Sequence, residues 1–139
     1  MVGAMFDPAP LFEAALAARD RAYAPYSRFR VGAAVQGASG RIYAGCNVEN
    51  AAYPLGLCAE AGAIAACLAG GDTRIVAVLV AAETAVTPCG GCRQQLSEFA
   101  RGATPVFAAD LAGVTASRTM DELLPAAFGP IALHVCPKT

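Results

Sequence analysis

Apolar residues recur along the chain with a period that changes from block to block. In residues 11–24, Phe12, Ala15, Leu16 and Tyr23 fall near one face of a helix, while Glu13, Arg19 and Asp20 stay in water. Pro25 ends that helix, since it lacks a backbone donor. Two short apolar runs, 30–36 and 41–46, flank the turn cluster Gly37-Ala38-Ser39-Gly40 and predict a β-hairpin. In residues 58–69, Ala61, Ile64, Ala65 and Leu68 recur at i, i+3, i+4 and i+7, which predicts a second helix that Gly70-Gly71 ends. Residues 75–82 are apolar throughout, as in a strand covered on both faces. Pro88 introduces a third helix in which Cys92, Leu96 and Phe99 share a face, closed by Gly102. Residues 104–109 read as a strand, 121–127 as a short helix and 131–136 as an alternating terminal strand. Strands alternating with helices around a doubly covered strand predict an α/β fold. The architecture expected is a three-layer α/β/α sandwich on a mixed central sheet. No repeat or linker interrupts the pattern, and 139 residues suit a single domain spanning 1–139.

Composition narrows the classes of partner. Hydrophobic residues make up 56% of the chain and charged residues 15%, a surplus of apolar surface that suits a subunit interface. No uninterrupted apolar run approaches the ~18 residues of a membrane span, so no membrane partner is expected. The first ten residues lack a basic stretch followed by an apolar one, which predicts a cytoplasmic protein without a secretory signal. Net charge is −1 with no block of Lys or Arg, so no nucleic-acid polymer is expected and the partner is small.

The six cysteines carry the chemistry: Cys46, Cys58, Cys67, Cys89, Cys92 and Cys136. Three disulfides would suit a small secreted chain with a poor core, whereas a cytosolic chain puts thiols to metal binding or catalysis. Cys58-Ala59-Glu60 opens the second helix and Pro88-Cys89-Gly90-Gly91-Cys92 opens the third. Helix starts present unpaired N–H groups and partial positive charge, which favour thiolate, the metal-binding form. Three thiolates suit Zn²⁺ and leave its fourth position to water, the layout of a catalytic zinc. A closed structural site needs a fourth ligand. Cys67, nine residues beyond Cys58, lies ~13 Å along the helix and out of reach. Cys46 and Cys67 therefore read as core residues, while spacing leaves His134 and Cys136 open. Glu60 does not share a face with Cys58, yet at the first turn both can border one pocket, with the carboxylate beside the water as a proton shuttle.

These residues resemble the signature of the zinc-dependent cytidine deaminases of nucleoside salvage: Cys or His two residues before a catalytic Glu, then Pro-Cys-x-x-Cys. The likeness extends from residues 24–34 (Ala-Pro-Tyr-Ser-Arg-Phe-Arg-Val-Gly-Ala-Ala) through 45–53 (Gly-Cys-Asn-Val-Glu-Asn-Ala-Ala-Tyr) and 89–94 to 122–128. Cys at position 58 favours the small homotetrameric nucleoside branch. The resemblance implies Cys58, Cys89 and Cys92 as ligands of one Zn²⁺ per chain, and Glu60 as the catalytic proton carrier. It implies Phe29, Asn47, Val48, Glu49 and Ala59 as the substrate-binding set. Asn47 and Glu49 would meet the ribose, Phe29 the pyrimidine, and the Ala59 amide the base carbonyl. Ala51, Tyr53 and Phe128 would enter a neighbouring subunit's pocket. The activity implied is hydrolytic deamination of cytidine or deoxycytidine to the uridine-type nucleoside and ammonia.

One position departs from the family pattern. Ala61 stands where better-known members carry Arg, which leaves Arg93 and the helix termini as the local positive charge beside the thiolates. Two other functions share these motifs: deamination of a blasticidin-type cytosine nucleoside, and a catalytically silent zinc-stabilised nucleoside-binding module. The intact Phe29 and Asn47-Val48-Glu49 stretches favour the ordinary nucleoside.

Overall fold

Five strands build one mixed sheet in the computed structural model, which describes residues 6–134. In chain order the elements are α1 (Ala9–Arg19), β1 (Val31–Gly37), β2 (Ile42–Cys46), α2 (Ala59–Ala69), β3 (Ile75–Ala82), α3 (Gly90–Phe99), β4 (Pro105–Ala109), β5 (Val114–Thr119) and α4 (Met120–Leu123). Single 3₁₀ turns occupy Tyr53–Leu55 and Pro130–Leu133. The strand order is β2-β1-β3-β4-β5, with β3 and β4 parallel and the other neighbours antiparallel. Seven of the eight β3 residues are fully buried, as its unbroken apolar run predicts. Leu11 and Ala15 of α1 pack on one face of the sheet against Ala34, Leu79 and Phe107. Ala63 and Cys67 of α2, with Leu96 of α3, pack on the other face against Val35, Val78 and Val80. The three-layer α/β/α sandwich expected from the pattern is therefore the architecture found.

Two helices lie directly on the hairpin backbone. A Cβ on Gly32 of β1 would stand 1.9 Å from the Ala15 carbonyl oxygen of α1, and one on Gly45 of β2 would stand 2.4 Å from the Ala63 nitrogen of α2. The hairpin is thus clasped from both sides. Its tip is buckled to the α2–β3 loop by Asp72, whose carboxylate is buried at 7% exposure. That carboxylate accepts bonds from the Ser39 N–H (3.0 Å), the Ser39 hydroxyl (2.5 Å) and the Tyr43 hydroxyl (2.7 Å). The Ser39 and Tyr43 hydroxyls hold the Asp72 carboxyl below its ordinary range, and the same contact pushes the Tyr43 phenol up.

Several elements differ from the sequence reading. The first helix spans Ala9–Arg19, and Tyr23 lies beyond it, 54% exposed and bridged to Val48. Leu11 and Ala15, not Phe12 and Tyr23, form its innermost line. In α2 the buried line is Ala59, Ala63 and Cys67, while Ala65 is exposed. That helix is so rich in Ala that its apolar period does not identify the inner face. The strand β5 carries no apolar alternation in the sequence because it is a polar edge, with most of its residues exposed. The helix expected over 121–127 is the single turn α4, opened by a reciprocal cap between Thr119 and Glu122. Residues 131–134 of the expected terminal strand form a 3₁₀ turn and a left-handed His134, not a strand. The remainder, with Cys136, lies outside the described residues.

Gly32→Ala tests the clasp. Because backbone rather than a side chain must move, the cost should reach or exceed the ~1–3 kcal/mol of ordinary overpacking. The measurement is the urea midpoint. An unchanged midpoint would mean that α1 does not rest on β1 as described.

Candidate active site at two helix starts

Cys58 is the N-cap of α2, Cys89 is the N-cap of α3, and Cys92 lies in the first turn of α3. Both helices lie on the same face of the sheet, and their starts meet near the end of β3, where Val31 pairs with Ala82. The carboxyl ends of parallel strands are where open α/β sheets place their ligands. Here the three sulfurs lie within 4.8 Å of one another. A zinc ion at ~2.3 Å from each sulfur in tetrahedral geometry asks for sulfurs on the order of 3.8 Å apart, so small side-chain adjustments suffice.

The surroundings treat the three thiols differently. Cys89 is held below the usual thiol range, chiefly by the Cys92 N–H with help from the Gly91 N–H, as expected at a helix start. Burial pushes the Cys58 thiol up, and the charges of Cys89 and Glu60 add to the effect. Cys92 is pushed up furthest, first by burial and then by Glu60 and Cys58. The helix start therefore favours one thiolate, and burial disfavours the other two. A divalent cation reverses that balance, since a coordinating thiol gives up its proton. By donor type, number and spacing the set fits zinc.

Glu60 is 4% exposed, and the Cys92 thiol donates to its Oε2 at 3.4 Å. It forms part of the floor of a cavity of about 450 Å³, together with Cys58, Ala59 and Cys89. That volume falls within the ~300–1,000 Å³ typical of small-molecule sites. Phe29, Asn47, Val48 and Glu49 line the same cavity. Residues read from four separate stretches of sequence thus converge on one space.

The polar groups on the far wall are already tied to the chain. Asn47 Oδ1 accepts from the Val31 N–H at 2.9 Å, and its Nδ2 donates to the Phe29 carbonyl at 2.8 Å. Glu49 Oε1 accepts from the N–H groups of Tyr26 and Ser27, each at 3.0 Å, and its Oε2 accepts from the Ser27 hydroxyl. The Ser27 hydroxyl, then the Ser27 and Tyr26 amides, hold the Glu49 carboxyl below its ordinary range. Ser27, Val86 and Thr87 also line the cavity, and no motif in the sequence assigns them a role there. Ser27 lies within the 24–34 stretch, yet its partner is 22 residues away, and no local spacing reveals such a bond.

The chain does not bring Ala51, Tyr53 and Phe128 into its own cavity. All three are exposed, Tyr53 at 74% and Phe128 at 62%. Tyr53 instead packs edge-on against Tyr26, with ring centroids 5.7 Å apart, beside an adjoining cavity of about 400 Å³. Arg93 spends its guanidinium on oxygens: Nε on the Pro88 carbonyl (2.7 Å), Nη1 on the Leu123 carbonyl (2.8 Å) and Nη2 on Thr87 Oγ1 (2.8 Å). It ties the loop leading into Cys89 to the end of α4. Ala61 borders a groove between α2 and α3 with Ile64, Gln94 and Phe99, away from the cavity lining.

Residues 7–108 match the family model of the cytidine and deoxycytidylate deaminase zinc-binding region. The chain belongs to this deaminase family. It is 45% identical over 113 residues to a cytidine deaminase of Sporosarcina psychrophila, covering 80% of this chain and 83% of the relative. The crystal structure of cytidine deaminase from Burkholderia pseudomallei superposes with a TM-score of 0.83 at 42% identity, over 88% of this chain and all of that one. The cytidine deaminase of Mycobacterium tuberculosis gives a TM-score of 0.77 at 39% identity, over 90% of this chain and 99% of that one. The deaminase fold and the zinc-binding character of the family agree with the sulfur cluster found here.

Arg93→Ala removes three bonds at the loop that carries Cys89. It should lower unfolding stability by ~1–3 kcal/mol, the cost of leaving such acceptors unmatched. Arg93→Lys should recover only part, because one ammonium cannot replace the planar fork. Chemical denaturation of both variants checks this, and full stability in Arg93→Ala would refute it.

Proposed function

We propose that this protein is a zinc-dependent cytidine deaminase that hydrolyses cytidine and 2′-deoxycytidine to uridine and 2′-deoxyuridine with release of ammonia. The observation that carries this reading is the buried Glu60 carboxylate, set beside three clustered sulfurs on the floor of a nucleoside-sized cavity. Cys58, Cys89 and Cys92 would hold the zinc. When bound, zinc supplies Lewis-acid chemistry that makes a water molecule easier to deprotonate.

Glu60 takes the proton from the attacking water and delivers it to the ring nitrogen N3 as the new C4–O bond forms. It then takes the proton of the new C4 hydroxyl and passes it to the amine on C4, so that the C4 carbonyl forms, the C4–N bond breaks and ammonia leaves. One water is consumed, and the pyrimidine gains a carbonyl oxygen in place of the amine. Burial of Glu60 keeps bulk water from competing for that proton. No side chain caps the start of α2, so the Ala59 amide is available to the base carbonyl. Phe29 offers its ring to the pyrimidine, while Asn47 and Glu49 offer fixed polar atoms to the sugar, with Val48 between them.

The exposure of Tyr53 and Phe128 supports a homotetramer in which these residues and Ala51 complete a neighbour's pocket. Among the described residues Cys46, Cys58, Cys67, Cys89 and Cys92 form no disulfide, which suits a reducing cytoplasm; the proposed reaction is itself one of pyrimidine salvage. Among the described residues no helix is long and apolar enough to cross a membrane.

Glu60→Gln should retain about one zinc per chain while turnover falls by the ~10²–10⁴ of a lost general acid–base group. Cys89→Ala should lose the zinc itself. Elemental analysis with an ultraviolet trace of cytidine conversion reads both, and near-normal turnover in Glu60→Gln would sink the mechanism.

Phe128→Ala should raise KM and weaken assembly together, because one aromatic would serve as pocket wall and subunit contact. Sedimentation at assay concentration decides this, and a fully active monomer would contradict the shared pocket.

A further inference from the structure

We propose that Ser27 is a positioning residue for sugar recognition, its hydroxyl joining the Glu49 carboxylate and the Phe29 backbone into one rigid unit. The proposal rests on the reading of Glu49 as a sugar contact. The Ser27 hydroxyl donates to Glu49 Oε2 and accepts from the Phe29 N–H at 3.0 Å. Its N–H, with that of Tyr26, occupies Glu49 Oε1. A carboxylate oxygen accepts about two hydrogen bonds. Oε1 is therefore filled, and Oε2 retains room for a single ligand hydroxyl. Ser27 thus sets both how many sugar hydroxyls Glu49 can read and where the remaining acceptor points.

The same bond governs the aromatic wall. Arg28, between Ser27 and Phe29, adopts φ 58°, a left-handed conformation unfavourable for a side chain of this kind. Such conformations persist where surrounding bonds over-determine them. Here the bonds are Arg28 N–H to the Ala24 carbonyl at 3.0 Å and Phe29 N–H to the Ser27 hydroxyl. Phe29 is 39% exposed and is not locked by core packing, so its backbone fixes its ring. Ser27 itself is exposed and lines both adjoining cavities. Removing its hydroxyl opens no hole in the core, so global stability should hold while ligand geometry changes.

The test compares Ser27→Ala, Ser27→Thr and Glu49→Gln in the zinc-loaded enzyme, with cytidine, 2′-deoxycytidine and 3′-deoxycytidine as substrates. Ser27→Ala should raise KM for cytidine about tenfold, the scale of a lost bond to a charged group. Its kcat should stay within about twofold, the signature of lost binding rather than lost chemistry. Discrimination against the analogue lacking the read hydroxyl should shrink, and Ser27→Thr, which keeps the hydroxyl, should restore it. The idea is overturned if Ser27→Ala keeps wild-type KM and discrimination while Glu49→Gln loses them, which leaves the sugar role of Glu49 standing. It is equally overturned if Ser27→Ala lowers kcat or melting temperature and Ser27→Thr does not rescue. If Glu49→Gln itself keeps discrimination, the reading of Glu49 fails and takes this proposal with it.

Discussion

The approach of α1 and α2 to the bare backbone of the β1–β2 hairpin, at Gly32 and Gly45, is the constraint on which the cavity depends. A helix that rests on backbone has little freedom to slide or tilt. Fixing α2 against β2 fixes its first turn, and that turn supplies Cys58, the Ala59 amide and Glu60 within three consecutive residues. The same hairpin runs on into Asn47, Val48 and Glu49, so one rigid contact sets the distance between the sulfur cluster and the far wall. α3 joins through Leu96 and through Arg93, which binds the loop before Cys89 to α4.

The electrostatics of the floor follow from that geometry. Desolvation, and after it the nearby charges of the other thiols and of Glu60, opposes ionisation of Cys58 and Cys92; only Cys89 gains backbone N–H donors that favour it. Metal loading therefore has to displace protons, so zinc affinity should weaken as pH falls. The far wall is built on the opposite plan: Asn47 and Glu49 are held in place by the chain's own donors and acceptors, so their remaining polar atoms need little reorganisation to meet a ligand.

Much of this could be read along the chain, and the physical reason differs by residue. The cluster of Cys58, Cys89 and Cys92, with Glu60 beside it, was legible because a ligand set at helix starts calls for short, fixed spacings. β3 was legible because burial on both faces leaves an unbroken apolar run. The inner face of α2 was not, since Ala and Gly on most sides give no contrast. β5 escaped because an exposed edge carries no apolar alternation. Asp72 and Ser27 escaped for another reason. Each acts through a partner 33 or 22 residues away, and only the closed fold brings the two together. Tyr53 and Phe128 came from family likeness alone, and a single chain leaves them in solvent.

The chain has no tryptophan and four tyrosines. Tyr43 sits half-buried on Asp72, while Tyr23, Tyr26 and Tyr53 are exposed, two of them paired beside the cavity mouth. Intrinsic ultraviolet emission from this protein is thus tyrosine emission, weighted toward the entrance rather than the interior. It offers a label-free optical signal for ligand arrival, and a poor one for the state of the core.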